Sequence, residues 1–332
     1  MTIELLQDYI FADSIPFYQM KEWSDLAQSE KLETFHLAIK DEEEIVLFAL
    51  ILKYPLIGLF HQLYIPRGPI VFRENVPIEA WDLFAKGIQD IANKTKSIFT
   101  LIEPDELSDI SIEHLSNISR KSLKQRLPHQ TIKIDTSRDP NEILESMHKK
   151  TRYNIRLSLK KDTKCTIVET HSKNFNKAFE AFFTLLQETS ERGKFRIHTK
   201  DHYHKILEST SGDFHPFLIQ VSHKKKIIAS HMYLSVPREL IYLHGASSEK
   251  YRDCMAPYKI QWEAINYAHE HGKDWLDLWG ISDTNSDWEG ITRFKRRFNG
   301  KEITYPDTRL IIHSKPIYLL YELRGKLLGR QT

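Results

Sequence analysis

The chain has only two cysteines, Cys165 and Cys254, and they form no CxxC pattern. So few cysteines, so far apart, argue against a disulfide framework and a cysteine-based zinc site, and they favour a reducing compartment. The sixteen histidines are also poor metal candidates, because neither RIHTKDHYH nor HEHG has the spacing of a known ligand set. The sequence therefore predicts no metal site.

A long apolar segment and a strong charge bias are also missing. The most apolar run, residues 45–60, is interrupted by Lys53 and Pro55 and is shorter than the ~20 residues of a membrane-spanning helix, so it reads as buried strands. The N-terminus has early acidic residues and no basic region, so we expect no signal peptide and a cytoplasmic protein. Lys and Arg number 47 against 45 Asp and Glu, so a polyanion could bind only at a local basic patch.

Two parts of the chain carry the same pattern. FHLAIKDEEEIVLFAL, residues 35–50, and FLIQVSHKKKIIASHM, residues 217–232, each place a charged turn between two apolar strands, as a β-hairpin does. Each hairpin leads to a third apolar run, a helix bearing Trp81 or Trp262, and another strand. Helical sequence precedes each copy. The order β-β-β-α-β, found twice, predicts an α/β (α+β) chain of two similar domains.

The domain boundary is predicted after the strand QTIKID, because Asp139-Pro140 suits a helix start. The first domain then spans residues 1–137 and the second residues 138–314. Residues 315–330 read as an amphipathic helix that packs back on the first domain. Its apolar positions are Ile317, Leu319, Leu320, Leu323 and Leu327.

Candidate site residues concentrate in residues 240–298. An apolar strand, LIYLHGAS, is followed by a helix, by the strand WLDLWGI and by the basic-aromatic segment ITRFKRRFNG. This order places Tyr242, His244, Tyr258 and Lys295 near the ends of adjacent elements, where sites in α/β sheets form.

Lys295 has two interpretations. Phe294 and Phe298 share one helix face, and a lysine at the edge of their apolar pocket can stabilise negative charge on a carbonyl oxygen. The alternative is a cation that extends from a core contact into solvent. Spacing alone favours that alternative.

The most basic segment is KKTRYNIRLSLKKDTK, residues 149–164. Arg152, Arg156 and Lys160 recur at i, i+4 and i+8, so they line one helix face. Such a face can hold the phosphates of a nucleotide or RNA. A solvated helix surface is the other interpretation, and for an arbitrary protein it is the favoured one.

The duplication, with GASSEKYRDCMAPYKIQWEAI, WLDLWGI and FKRRF in this order, resembles the FemABX family of nonribosomal peptidyl transferases. IPRGPIV and QTIKIDTSRDPNEILESMHKKTRYNIRLSLKK are similar to the family's first-domain turn and its entry into the second domain. The chain is too short for the family's long helical hairpin, so it is most similar to the compact, FemX-like members.

The resemblance implies two tandem GNAT-like domains and an aminoacyltransferase. Such an enzyme moves an amino acid from aminoacyl-tRNA to the stem peptide of a peptidoglycan precursor, UDP-MurNAc-pentapeptide or lipid II, in interpeptide bridge formation. It uses no cofactor, since aminoacyl-tRNA is a co-substrate. We expect a monomer, and a lipid-linked acceptor would bring peripheral contact with the inner membrane.

The resemblance also implies residue roles. Lys295 matches the family lysine proposed to stabilise the tetrahedral oxyanion, and Phe294 matches the aromatic beside it. His244 stands where compact members have a precursor-binding tyrosine, whereas Tyr242 keeps an aromatic two residues earlier. The substrate-binding candidates are Arg67, Glu103, Arg196, Tyr242, His244 and Tyr258. The tRNA-binding candidates are Arg152, Arg156 and Lys160.

Two other functions remain open. A GNAT-type N-acyltransferase using acyl-CoA is disfavoured, because the chain has no Gln/Arg-x-x-Gly-x-Gly/Ala loop to hold a pyrophosphate on backbone amides. A noncatalytic protein that binds precursor or RNA is disfavoured by the presence of Lys295. The sequence identifies neither the transferred amino acid nor the accepting amine.

Overall fold

The computed structural model describes residues 1–9, 11, 15–73 and 75–327, and the backbone alone at Ile57, Lys326 and Leu327. The chain divides into two compact units. Unit 1 comprises Met1–His129 and Tyr305–Thr332, and unit 2 comprises Gln130–Thr304. In the described part of the chain, no helix is both long enough and apolar enough to cross a membrane.

Strands and helices are numbered along the chain. The strands are β1 (Thr2–Leu5), β2 (Glu33–Asp41), β3 (Glu44–Ile57), β4 (Phe60–Pro66), β5 (Ile70–Val71), β6 (Ser97–Glu103), β7 (Arg120–Lys121), β8 (Gln130–Asp135), β9 (Lys164–Val168), β10 (His215–His223), β11 (Lys226–Ser235), β12 (Glu239–Ser247), β13 (Trp275–Asp277), β14 (Lys301–Thr304) and β15 (Arg309–Ile312). The helices are α1 (Lys21–Ser29), α2 (Ile78–Thr95), α3 (Asp109–Ile118), α4 (Pro140–Ser146), α5 (Lys149–Lys160), α6 (Phe175–Gly193), α7 (Lys200–Glu208), α8 (Ala256–Glu270), α9 (Glu289–Arg296) and α10 (Lys315–Leu327).

Unit 1 is built on a mixed sheet with the strand order β1-β2-β3-β4-β6-β15-β7, and β5 pairs with β3. Strand β3 is apolar throughout its centre because both of its faces are covered. Leu47, Ala49 and Ile51 pack in the cluster of α2, whereas Phe48 and Leu50 pack in the cluster of α1 and α10. The predicted buried strands of residues 45–60 are confirmed.

Unit 2 is built on a second sheet with the order β14-β8-β13-β12-β11-β10-β9. Helix α8 turns Ile260, Ala264 and Ala268 toward one face of this sheet, at helical spacing. Helix α6 packs against β11 and β12. Helix α4 begins at the predicted Pro140, where the Asp139 carboxylate accepts a hydrogen bond from the backbone N–H of Asn141 at 2.8 Å.

The predicted duplication is confirmed. Unit 1 contains β2-β3-β4-α2-β6 after α1, and unit 2 contains β10-β11-β12-α8-β13 after α6. Both hairpins are antiparallel. In both units the strand after the helix pairs in parallel with the third strand of its copy, β6 with β4 and β13 with β12.

The predicted domain boundaries differ from the observed ones. The strand QTIKID is β8, which pairs with β13 and β14 and so belongs to unit 2. Unit 1 therefore ends at His129 rather than at residue 137. Its return begins at Tyr305 rather than at residue 315, because β15 pairs with β6 and β7. Strand pairing is a long-range property that the local signal of Asp139-Pro140 does not carry.

Helix α10 packs on unit 1 as predicted, but not through the predicted leucines. Tyr318 is buried, and its ring lies 5.4 Å from that of Phe99 in β6. Leu319, Leu320 and Leu323 are 57%, 66% and 57% exposed. The predicted Ile317 does pack against the core of unit 1, and it forms the inward face with Tyr318 and Tyr321 rather than with the leucines. Residues 328–330 of the predicted helix lie outside the described part of the chain, as does the side chain of Leu327.

Candidate functional site

Lys295 is buried in unit 2, with only 6% of its surface exposed. Its helix, α9, is held by an aromatic cluster, since the ring of Phe294 lies 5.2 Å from Tyr258 and 5.1 Å from Phe298. The Lys295 Nζ donates hydrogen bonds to the carbonyl oxygens of Trp279 at 3.3 Å and Gly280 at 2.8 Å. The interpretation of Lys295 as a solvent-reaching cation is therefore wrong.

Burial lowers the pKa of Lys295 from 10.5 to about 7, and the nearby Asp277 carboxylate partly opposes this shift. An ammonium group has three N–H donors, and two are used by the carbonyls. At neutral pH a large fraction of Lys295 is thus a charged group with one donor available to a bound substrate.

The two carbonyls reach Lys295 because the chain bends at Trp279, within the predicted strand WLDLWGI. Strand β13 ends at Asp277, and Trp279 adopts a left-handed backbone conformation with φ of 64°, while the N–H groups of Leu278 and Ile281 still donate to the carbonyls of Ile132 and Gln130 in β8. The buried Asp277 Oδ1 accepts a hydrogen bond from the Trp279 N–H at 2.6 Å and another from the Thr131 hydroxyl at 2.5 Å. Asp277 therefore fixes the turn whose carbonyls hold Lys295.

Tyr242 lies beneath Lys295, with its ring centroid 5.8 Å from Nζ. The ring stacks on His231 at 4.8 Å, and its hydroxyl lies against the backbone of Gly245. A Cβ atom at Gly245 would lie 1.7 Å from the Tyr242 hydroxyl oxygen. Glycine at this position is therefore what admits the tyrosine ring.

Gly245→Ala should displace the Tyr242 ring and lower turnover by about tenfold to a hundredfold, because small misplacements in an active site are costly. Steady-state kinetics of the purified variant would measure the loss. Gly290→Ala on α9 is the matched control, since a Cβ atom there meets open space. Equal turnover in the two variants would contradict a role for the Tyr242 position.

His244 lies in a cluster of rings beside Lys295. The Tyr203 ring is 4.9 Å from the His244 ring, and His198 stacks on His202 at 4.2 Å. Desolvation, together with smaller repulsive effects of His198, His202 and Lys295, lowers the pKa of His244 to about 3. His244 is thus neutral at pH 7. Among the described residues, no group of three or more His, Cys, Asp and Glu side chains could hold a metal ion.

Arg196 lies in the exposed segment between α6 and α7, in the same segment as His198. Within the described part of the chain, its guanidinium has neither a hydrogen-bonding nor an ionic partner. Unit 2 therefore contains five of the predicted residues in or near one region: Lys295, Phe294, Tyr258, Tyr242 and His244, with Arg196 on a neighbouring loop.

Arg67 and Glu103 belong to unit 1 and are already engaged there. The guanidinium of Arg67 donates to the Pro128 carbonyl at 2.7 Å and lies 3.3 Å from the Tyr305 ring centroid. The Glu103 carboxylate accepts hydrogen bonds from the Tyr64 hydroxyl and from the backbone N–H groups of Arg126 and Leu127. Both side chains are buried, and their predicted substrate contacts stay predictions.

The predicted basic face of α5 is partly neutralised. Glu145 pairs with both Arg152 and Arg156, and Arg152 also donates to the Glu145 carbonyl at 3.0 Å. Lys160 is exposed at the end of the helix. The tRNA-binding role of this face stays a prediction.

Asp277 and Thr131 are the site residues that sequence reasoning missed. The available signal was the acid inside WLDLWGI, since an aspartate between two leucines of a central strand is seldom buried without partners. Thr131 lies in β8, whose assignment to the first domain hid its proximity to Asp277.

The model of the FemAB family matches residues 7–127, 105–217 and 210–323 of this chain. The lipid II:glycine glycyltransferase of Staphylococcus epidermidis is 24% identical, over 97% of this chain and 94% of the relative. The aminoacyltransferase FemB of the same species is 20% identical, over 90% and 91%. These relatives are similar to the chain along nearly its whole length.

Solved structures show the same fold. The crystal structure of FemX superposes with a TM-score of 0.79 at 18% identity, over 92% of this chain and 94% of that one. A tandem GNAT protein from the clavulanic acid biosynthesis pathway superposes with a TM-score of 0.57 at 9% identity, over 88% and 94%. The predicted α/β fold of two tandem GNAT-like domains is confirmed.

Proposed function

The chain belongs to the FemAB family, and we propose that it transfers an amino acid from aminoacyl-tRNA to the stem peptide of a peptidoglycan precursor. The relatives named as a lipid II:glycine glycyltransferase and an aminoacyltransferase support this reaction, since they match 97% and 90% of the chain. The acceptor is UDP-MurNAc-pentapeptide or lipid II, and the product contributes to an interpeptide bridge. The enzyme acts in the cytoplasm, with tRNA as co-substrate and no cofactor.

The observation that carries the proposal is the buried ammonium of Lys295. Two of its three donors are used by the carbonyls of Trp279 and Gly280, at 3.3 and 2.8 Å. The third donor, in a site shielded from water, suits the oxygen on which charge develops when an acyl carbon is attacked.

The transfer exchanges one bond for another. The acceptor amine nitrogen attacks the ester carbonyl carbon, and the carbonyl oxygen becomes an oxyanion held by the Lys295 Nζ. Collapse of this intermediate forms the amide and breaks the ester bond to the terminal ribose of the tRNA. The ribose oxygen leaves with the proton that the amine gives up.

The reaction requires little else of the protein. An aminoacyl ester is already activated, so proximity and oxyanion stabilisation matter more than a strong protein base. His244 is neutral at pH 7 and so adds no charge near the Lys295 ammonium, and the Tyr242 ring centroid lies 5.8 Å from Nζ. Arg196, which has no partner among the described residues, remains the candidate contact for precursor phosphates.

A product-mass assay tests the function. The protein is incubated with a pool of charged tRNAs and, in separate reactions, with UDP-MurNAc-pentapeptide or lipid II. We expect one acceptor to gain the mass of one amino-acid residue, and ribonuclease treatment of the tRNA to abolish the gain. Transfer from acyl-CoA, with none from charged tRNA, would contradict the proposal and support the N-acyltransferase alternative.

A further inference from the structure

A polar cavity of about 700 Å³ lies beside α9 in unit 2. Glu289, Thr292, Arg293 and Arg296 line it from one helix face, at i, i+3, i+4 and i+7. The opposite wall comes from the loop after β13 and from Ser146 and His148, where α4 ends and the chain leads into α5. All lining side chains are polar or charged, unlike the mostly apolar wall of an ordinary ligand pocket. The cavity thus suits a polar ligand.

Two of the three arginines at this cavity are neutralised by carboxylates. Arg293 pairs with Glu289 at 3.2 Å. Arg296 pairs with Asp283 at 2.6 Å and with Glu302 at 2.9 Å. Carboxylates therefore already offset the charge of both guanidiniums.

Arg297 is different. It is half-buried and lines the cavity, yet its guanidinium has no hydrogen bond, ion pair or ring contact among the residues that the structure describes. A cation that has lost part of its hydration and gained no partner is costly, so an anionic ligand would be favoured there.

The position of Arg297 is also fixed. Its carbonyl oxygen accepts a hydrogen bond from the His148 N–H at 3.0 Å, and the Asn299 amide donates to the Ser146 carbonyl at 3.0 Å. These two bonds tie the end of α9 to the segment between α4 and α5. They hold the backbone of Arg297, the residue that follows α9, at a constant place beside the cavity.

We propose that Arg297 binds a phosphate group of a substrate in this cavity. The planar guanidinium fork matches phosphate oxygens in two parallel hydrogen bonds. The inference rests on the proposed function, in which both substrates carry phosphates: the tRNA in its backbone and the precursor in its diphosphate. Binding of either would hold that substrate on unit 2, which also contains Lys295.

Kinetics of Arg297→Gln identify the source of the phosphate. If the tRNA supplies it, KM for charged tRNA should rise about tenfold while KM for the acceptor and kcat stay near normal. The slope of log KM against log salt concentration should then fall by about 1. If the precursor supplies it, KM for the acceptor should rise instead. Arg297→Lys, which keeps the charge, should recover part of the loss.

Arg252→Gln is the matched control, because Arg252 is an exposed arginine of unit 2 that pairs with Glu249. It should leave both KM values unchanged. If Arg297→Gln also leaves both unchanged while the folded chain transfers amino acids normally, the phosphate site is overturned and the proposed function stands.

Calorimetric titration with inorganic pyrophosphate tests the site without catalysis. Binding by the unaltered chain that is lost in Arg297→Gln supports the site even if no transfer is ever observed, in which case only the proposed function falls. Equal pyrophosphate binding by both proteins would show that pyrophosphate binds at another site, and it would contradict the role of Arg297.

Discussion

Lys295→Met is expected to lower turnover by about 10²–10³-fold, the usual loss when one oxyanion donor is removed. The variant should stay folded. It loses two hydrogen bonds to the carbonyls of Trp279 and Gly280, but it also removes an ammonium group whose burial is costly. Single-turnover rates from charged tRNA, together with the thermal unfolding midpoint, measure both effects. Near-normal turnover in the folded variant would remove Lys295 from the mechanism.

The pH profile tells which form of Lys295 acts. For a lysine-type acceptor amine, with an ordinary pKa of about 10, the reactive fraction rises tenfold per pH unit below that value. Since the pKa of Lys295 is lowered to about 7, its ammonium fraction falls tenfold per unit above pH 7. The two trends cancel, so the rate at low acceptor concentration should rise up to about pH 7 and then level off.

Lys295→Arg supplies the control for this profile, because a guanidinium stays protonated throughout. Its rate will be lower, since the larger group fits the buried position poorly, but it should keep rising above pH 7. A rate that keeps rising above pH 7 in the unaltered protein would contradict the requirement for an ammonium group that titrates near pH 7.

Asp277→Asn is expected to have the second-largest effect. An asparagine oxygen can still accept the Trp279 N–H bond, so the turn is kept, but the negative charge that raises the pKa of Lys295 is lost. The pKa of Lys295 should fall further, moving the levelling-off of the pH profile to a more acidic value. Turnover at pH 7.5 should drop roughly tenfold, the change that one pKa unit produces.

Thr131→Val separates charge from packing in this test. It removes the hydroxyl that donates to Asp277 Oδ1 and leaves the carboxylate in place. Its pH profile should level off close to the position seen in the unaltered protein. An identical profile in Asp277→Asn would show that the carboxylate acts on the turn alone, and the electrostatic role would be withdrawn.

Local patterns predicted the fold well because the two strands and the turn of a β-hairpin are adjacent in the sequence. The sequence predicted the charged turns DEEE and HKKK, the tryptophan-bearing helices and the strands after them. The structure has these elements in the predicted order. The domain to which β8 belongs could not be predicted from local sequence, because its partners β13 and β14 lie more than a hundred residues away in the chain.

The site was less predictable, because its chemistry depends on burial and on partners. Helical spacing placed Lys295 beside an aromatic stripe but could not show that Trp279 turns back to accept its hydrogen bonds. Spacing likewise aligned Arg152 with Arg156, but it could not show that the one Glu145 carboxylate pairs with both. A sequence pattern predicts which side chains share one face of a helix. The ion pairs that those side chains form depend on the neighbouring elements that pack against that helix.

The nested arrangement of the two units has a consequence for synthesis. Strand β15 lies between β6 and β7 in the sheet of unit 1, and it follows the whole of unit 2 in the chain. The sheet of unit 2 needs only strands within Gln130–Thr304, and its ends meet where Gln130 pairs with Thr304. Domains usually complete their folding in the order in which they leave the ribosome. Here we expect the reverse order. Unit 2 can complete its sheet first, although most of it is synthesised after unit 1 begins. Unit 1 can complete its sheet only after β15 has left the ribosome.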